Sequence, residues 1–265
     1  MTERYSPGLG TSGNDDFERC AESVRTALDV GYRHVDTAQM YDNEAAVGEG
    51  IERSDVDRTD VFVATKIHPS NLAYEDVRET FAESLERLGT EYVDLLYVHW
   101  PMNTYDAPET LQAFDELHDE ERVRHVGVSN FSPELLAEAV DLLDAPVYAN
   151  QFECHPYLPN EGWRAACESN DVTPVAYCPL ARGAILDDPV LESVAAEYDV
   201  TPAQVSLAWL DAKDVVPIPK ATGEGHIREN WESRGLSLDS DDVARIDAIE
   251  TRERVIDPAG APWNA

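Results

Sequence analysis

"GYRHVDTAQMYDNE", residues Gly31 to Glu44, runs from a short strand-like segment into a polar loop. Val35 sits between Arg33, His34 and Asp36, and the loop beyond carries Tyr41, Asp42, Asn43 and Glu44. An acid at a strand end with a tyrosine just after it suits a parallel barrel, where chemistry gathers at the C-terminal ends of the strands. The question is whether this pattern recurs.

It does. Apolar, β-rich runs occupy Leu9 to Thr11, Arg33 to Thr37, Val61 to Lys66, Val93 to Trp100, Arg124 to Asn130, Val147 to Phe152, Thr173 to Pro179 and Val215 to Lys220. Helical patterns lie between them. Their start and stop signals are Asp15 before "DFERCAESVRTALDVG", Asn43 before "EAAVGEGIER", Gly89 closing "YEDVRETFAESLERLG", and Ser132 with Pro133 at the first helical position. Eight such units in 265 residues average about 33 each, a usual length for one strand-helix repeat. The expected fold is a (β/α)8 TIM barrel in the α/β class, one domain over residues 1–265, with no linker or low-complexity block to divide it.

The totals limit what such a barrel does. No apolar run reaches the roughly 18 residues of a membrane span, and "MTERYSPGLG" lacks the basic start and apolar middle of a signal peptide, so a cytoplasmic location is expected. Cys20, Cys154, Cys167 and Cys178 are scattered without a C-x-x-C pair and read as reduced thiols. With 53 acidic and 20 basic residues the net charge is −33, which argues against binding nucleic acid by phosphate neutralisation. The acids are spread evenly, and the only lysines are Lys66, Lys213 and Lys220, against 17 arginines. An acidic, lysine-poor surface suits a salt-rich cytoplasm, where screening quenches self-repulsion. A chain that has shed most lysine and keeps Lys66 and Lys220 is expected to need ammonium groups there.

Gly8, Gly10 and Gly13 match G-x-G-x-x-G, but no apolar strand precedes them, so a tight turn before the first helix is expected rather than a dinucleotide-binding fingerprint. The Tyr-x-x-x-Lys pair of short-chain dehydrogenases also fails. Phe62, Trp209 and Val216 stand four residues before the three lysines. His34, His68, His118, His125 and His155 show no ligand spacing, and no metal is assigned.

At the strand ends stand Thr11, Asp36, Lys66, His99, Ser129 with Asn130, Gln151, Tyr177 and Lys220. Asp36 to Lys66 spans 30 residues, Lys66 to His99 33, and His99 to Asn130 31, each about one repeat, which would bring these groups to one mouth. Lys66 is expected to lower the pKa of Tyr41 from its ordinary value of about 10 and make it a usable general acid. Asp36 would keep Lys66 charged, and His99 would orient a substrate oxygen. A proton donor over a carbonyl oxygen is half of a reduction; the other half is a hydride, which calls for a nicotinamide. In isolation, Asp36 with Lys66 could equally be a structural ion pair, Tyr177 core packing, Ser129 with Asn130 a helix cap, and Lys220 a surface charge. Their convergence favours catalysis.

"GYRHVDTAQMYDNEAAVG", "VATK", "YVHWP", "VGVSNF", "NQFECHPY", "AYCPLARG" and "IPKATGEGHIREN" stand in this order over nearly the whole chain, from about Pro7 to "DPAGAPWN". Together they resemble the aldo-keto reductase family. The resemblance implies a (β/α)8 barrel holding NADP(H) in an extended pose, with Asp36, Tyr41, Lys66 and His99 as catalytic tetrad. It places Thr11, Ser129, Asn130 and Gln151 on the nicotinamide side and Tyr177 under its ring. Cys178, Leu180 and Arg182 would lie along the pyrophosphate. Lys220, Ala221, Thr222 and His226 would face the 2′-phosphate, with Glu229 and Asn230 near the adenine. Ser12, His99 and Trp100 would line the substrate pocket. Three positions depart from the family pattern: Ser12 replaces a tryptophan, Cys178 a serine, and Ala221 with His226 a serine and an arginine. Arg228 would point away from His226 on a helix. The last departure implies weakened preference for NADPH, with NAD(H) also accepted.

The expected activity is reduction of small aldehydes or ketones, or oxidation of the matching alcohols or sugars, by a monomer. The alternatives are a cofactor-binding redox sensor or partner subunit with little turnover, and a metal-dependent barrel lyase or isomerase. The short loop after His99 and the short tail from Arg252 imply an open pocket.

Overall fold

The structure is a computed structural model that describes residues 6–264. Residues 1–5 and 265, the outer ends of the domain expected over 1–265, lie outside the described residues. Eight parallel strands run in chain order: β1 (Leu9–Gly10), β2 (His34–Asp36), β3 (Phe62–Ile67), β4 (Leu95–Val98), β5 (Val126–Ser129), β6 (Val147–Glu153), β7 (Thr173–Tyr177) and β8 (Val216–Pro217). Every expected strand is present, including the weak first one. The described helices are α1 (Phe17–Val30), α2 (Glu44–Glu52), α3 (Tyr74–Leu88), α4 (Ala107–Asp119), α5 (Pro133–Leu142), α6 (Glu161–Ser169), α7 (Pro189–Tyr198), α8 (Pro202–Asp211), α9 (Glu224–Glu232) and α10 (Ser240–Asp247).

The sheet closes on itself. Gly8 N–H donates to Pro217 O at 3.0 Å and Gly10 N–H to Pro219 O at 3.1 Å. A Cβ on Gly10 would stand 2.7 Å from Ile218 O, so this seam admits no side chain. The glycine triplet is therefore not one turn, as the sequence suggested. Gly8 and Gly10 belong to the closing seam, and only Gly13, at φ 69°, makes the turn.

Side chains alternate across each strand, so every second residue faces the barrel interior. The interior is filled by Phe62, Ala64, Leu95, Tyr97, Ala149, Val175, Val216 and Ile218. The opposite face of each strand packs under the helices in a second, larger apolar layer that includes Val35, Val63, Ile67, Leu96, Val98, Phe81, Phe114 and Trp209. Each such fully buried side chain contributes about 1.5–3 kcal/mol relative to exposure.

The caps refine the sequence reading. α1 is capped by Asp16, whose carboxylate accepts from Arg19 N–H at 2.8 Å, and not by its neighbour Asp15. Asn43 holds the position before α2 without capping it, because its amide is engaged elsewhere: Nδ2 donates to Thr11 O at 2.9 Å and Oδ1 accepts from Thr37 Oγ1 at 2.7 Å. Gly89 ends α3 at φ 64°, and Ser132 caps α5 with Pro133 at its first turn. One strand-helix repeat is enlarged: α7 and α8 both lie between β7 and β8. α8 is buried from Ala203 to Leu210 and packs on β8, whereas α7 buries only Leu191, Val194 and Ala195.

Candidate active site

The inward row of each strand changes character at the C-terminal mouth. His34 is followed by Asp36 on β2, Phe62 and Ala64 by Lys66 on β3, and Leu95 and Tyr97 by His99 beyond β4. Ala149 is followed by Gln151 on β6, Val175 by Tyr177 on β7, and Val216 and Ile218 by Lys220. The apolar members fill the barrel, and the polar ones, apart from Lys66 buried behind Asp36, open into a cavity of about 920 Å³. Asp36, Tyr41, His99, Trp100, Asn130, Gln151 and Tyr177 line it, with Thr11 and Ser12. Met40 and Leu186, two large apolar side chains exposed to solvent, form part of its rim.

Lys66 is wholly buried and its Nζ donates to Asp36 Oδ1 and, at 2.8 Å, to Thr37 O. The other Asp36 oxygen accepts from Gln151 Nε2 at 2.8 Å. Tyr41 ends a single helical turn, Gln39–Tyr41, and Asp42 at φ 51° swings the chain away into α2. Gln39 pins this turn: Nε2 donates to Ser84 Oγ at 3.0 Å and Oε1 accepts from His68 N–H at 2.8 Å. The Tyr41 ring is thereby held 5.1 Å from Lys66 Nζ, ring centre to nitrogen, and edge-on to His99 at 5.6 Å between centroids. The Tyr97 ring flanks Lys66 at 5.9 Å. Gly127 leaves room for that ring, since a Cβ there would stand 2.8 Å from it.

Burial pushes the Tyr41 phenol above its ordinary range, and the charge of Lys66 pulls against this without reversing it. This corrects the expectation that Lys66 would bring Tyr41 below its usual value. The desolvation of a group enclosed by the barrel mouth outweighs one neighbouring cation. For Lys66 itself burial favours losing the proton, but Asp36 and Tyr41 outweigh it and hold the ammonium above its ordinary value. Burial, reinforced by the Lys66 charge, holds His99 well below the usual histidine range, so its ring is neutral. His99 Nδ1 is buried and has no hydrogen-bond partner in the protein.

A dinucleotide fits what the rest of the cavity offers. Arg182 and Lys220 bring cations, His226 an imidazole, Asn130 and Gln151 bring amides, Tyr177 brings a ring face, and Cys178, Leu180, Glu229 and Asn230 complete the wall. The loop under this region is conformationally committed: Cys178, Ala181 and Arg182 adopt φ of 48°, 45° and 53°. Tyr177 OH donates to Asn130 Oδ1 at 2.8 Å, and Asn130 Nδ2 donates to His99 O at 3.0 Å, which links the platform to the tetrad.

Three expected cofactor residues stand back from the cavity. Ser129 is buried, donating to the Gln151 backbone oxygen at 2.9 Å and accepting from Asn130 Nδ2 at 3.1 Å, so it braces the Asn130 amide against β6. Ala221 packs into the apolar layer under the helices, and Thr222 is half-buried outside the cavity wall. Arg228 pairs with Glu224 at 2.8 Å on the exposed face of α9, away from the cavity as its spacing from His226 implied. The sequence reading missed Met40, Met102, Ile256 and Pro258, which reach the cavity from loops with no periodic signal. Among the described residues no group of three or more His, Cys, Asp or Glu is gathered as a metal site, and no helix is long and apolar enough to cross a membrane.

Comparison with known proteins agrees with this geometry. A family model described as "Aldo/keto reductase family" matches residues 7–251. The chain is 38% identical over 256 residues to methylglyoxal reductase DkgB of Escherichia coli O157:H7, covering 96% of each chain. It is 36% identical over 249 residues to the glyoxal reductase of Bacillus subtilis strain 168, covering 94% of this chain and 90% of the relative. The structure superposes with a TM-score of 0.89 on a Bombyx mori aldo-keto reductase in complex with NADP, at 30% identity, over 95% of this chain and 91% of the other.

Proposed function

The chain belongs to the aldo/keto reductase family, and from that premise we propose that it reduces small aldehydes and α-oxoaldehydes with Tyr41 as proton donor. It is an oxidoreductase that uses NADP(H) to reduce carbonyl groups. The methylglyoxal and glyoxal reductases among its relatives support the choice of substrate. The observation that carries the mechanism is the buried chain Gln151, Asp36, Lys66 at the foot of Tyr41, with neutral His99 across the same cavity.

When bound, the nicotinamide supplies the hydride. Asn130, Gln151 and Tyr177 are the residues proposed to hold its ring, and Arg182, Lys220 and His226 its phosphates. His99, neutral and lining the cavity, orients the carbonyl oxygen by a hydrogen bond. Tyr41 keeps its proton throughout the neutral range, because burial holds its value up, and gives that proton to the oxygen as negative charge develops there. Lys66 stabilises the phenolate left behind, and Asp36 keeps Lys66 charged and aimed. With its value raised, Tyr41 presents little phenolate at neutral pH, so alcohol oxidation is expected to be slower there than at higher pH.

The intact set of four favours turnover over the sensor alternative. Ala221 and His226 support acceptance of NADH beside NADPH, since neither offers the hydroxyl nor the permanent cation that would grip a 2′-phosphate. The charge of −33 supports a salt-rich cytoplasm as working medium, and a monomer is proposed. The test is to follow nicotinamide absorbance in molar potassium chloride with NADPH, then NADH, on methylglyoxal, glyoxal and a simple aldehyde. Turnover with both cofactors is expected. NADPH binding without turnover on any carbonyl would overturn the reductase reading in favour of the sensor.

A further inference from the structure

A single carboxylate fastens the chain's tail to the barrel beside the cavity. Glu153, wholly buried, ends β6 two residues beyond Gln151 on the same inward row. Its Oε1 accepts from Val255 N–H at 2.7 Å and its Oε2 from Ile256 N–H at 2.9 Å, across about a hundred residues of chain. His155 Nε2 lies 2.9 Å from the same Oε1, and Asn160 Nδ2 donates to the Glu153 backbone oxygen at 2.6 Å. One residue before the clasp, Arg254 lies 3.9 Å over the Trp263 ring, and Trp263 packs on Trp100 at 5.6 Å between centroids. Ile256, held by this clasp, and Pro258, two residues beyond it, line the cavity with Tyr41, His99 and Trp100. Glu153 is also the register partner of Tyr177 on β7. One side chain therefore ties the tail to the strand pair that carries the ring face of the cavity.

We propose that Glu153 is a positioning residue whose carboxylate fixes residues 255–258 as a wall of the substrate pocket and so sets which carbonyls bind. The geometry calls for two acceptor oxygens: the adjacent N–H groups of Val255 and Ile256 each donate to a different Glu153 oxygen. A glutamine offers one acceptor oxygen and turns an NH2 group toward one of the donors. The aim of Tyr41 and His99 does not pass through this clasp, so the effect falls on substrate binding.

This inference rests on the reductase reading, and the experiment separates the two. Glu153→Gln and Glu153→Asp are compared with the parent protein in three measurements: hydrogen exchange of the 255 and 256 amides, NADPH binding by fluorescence, and kcat and KM for a two-carbon and a longer aldehyde. In Glu153→Gln the two amides are expected to exchange about tenfold faster or more, and KM for the longer aldehyde to rise by about tenfold, while kcat and NADPH affinity stay within about twofold. Glu153→Asp, which keeps the charge, is expected to fall between the two and decides the matter if the glutamine variant does not fold. Unchanged exchange at both amides would overturn the proposal. So would a fall in kcat and NADPH affinity at constant KM, which would place the effect on Tyr177 instead. If the parent protein turns over no carbonyl, the reductase reading fails, and the exchange measurement still judges the clasp.

Discussion

Gln151 donates to Oδ2 of Asp36 at 2.8 Å while Lys66 donates to Oδ1, so both oxygens of the buried acid are engaged by different strands of the barrel. The acid is therefore fixed in direction as well as charge, and the Lys66 ammonium it holds is fixed with it. Replacing Asp36 by asparagine keeps the shape and removes the counter-charge. A buried ammonium left alone costs about 3–5 kcal/mol. Asp36→Asn is expected to lose stability by no more than that order in a denaturant titration, since Lys66 sheds its proton rather than stay charged alone, and to lose reductase kcat, because a neutral Lys66 no longer stabilises the Tyr41 phenolate.

The pH dependence follows from three shifts. His99 is held well below its ordinary range, so it does not change charge between about pH 6 and 8 and the reduction rate is expected to be flat there. Tyr41 and Lys66 both stand above their ordinary values in the folded chain. As pH rises the unfolded chain loses these protons first, so the stability they confer is complete below about pH 10 and is lost above it. Reduction is expected to decline only beyond that point, while alcohol oxidation climbs toward it. Parallel kcat profiles in the two directions check this, and a reduction rate that halves between pH 6 and 8 would contradict it.

Cofactor choice is expected to respond to one position. His226 lines the cavity on an exposed stretch of α9, and Arg228 is already engaged with Glu224. His226→Arg supplies a permanent cation and is expected to raise the NADPH over NADH ratio of kcat/KM by about tenfold, the worth of one charge-assisted hydrogen bond. An unchanged ratio would mean that Lys220 alone sets the preference.

The barrel was legible because strand period and strand ends carry the same message: in the rows from Phe62 to Lys66 and Leu95 to His99, alternation gives the inward face and the polar residue gives the mouth. Asp15 and Asp16 are chemically alike, and only the entry angle of the chain selects Asp16 as cap. The direction of the Tyr41 shift was not legible, because desolvation depends on everything packed around the phenol and not on Lys66 alone. Glu153 sits in a row whose previous member was recognised, yet its partners are two backbone amides about a hundred residues away, for which side-chain identity gives no signal. The pair α7 and α8 between β7 and β8 broke the even repeat for a similar reason: which helix reaches the sheet is decided by packing on β8.

The account rests on Tyr41 as the proton donor, and Tyr41→Phe tests it most directly. The variant keeps the ring beside His99 and Lys66 and removes only the acidic proton. With NADPH and methylglyoxal in molar potassium chloride, kcat is expected to fall by about 10²–10⁴, the usual worth of a positioned acid, with NADPH affinity unchanged. A Tyr41→Phe protein that binds NADPH normally and reduces methylglyoxal at the parent rate would contradict the account.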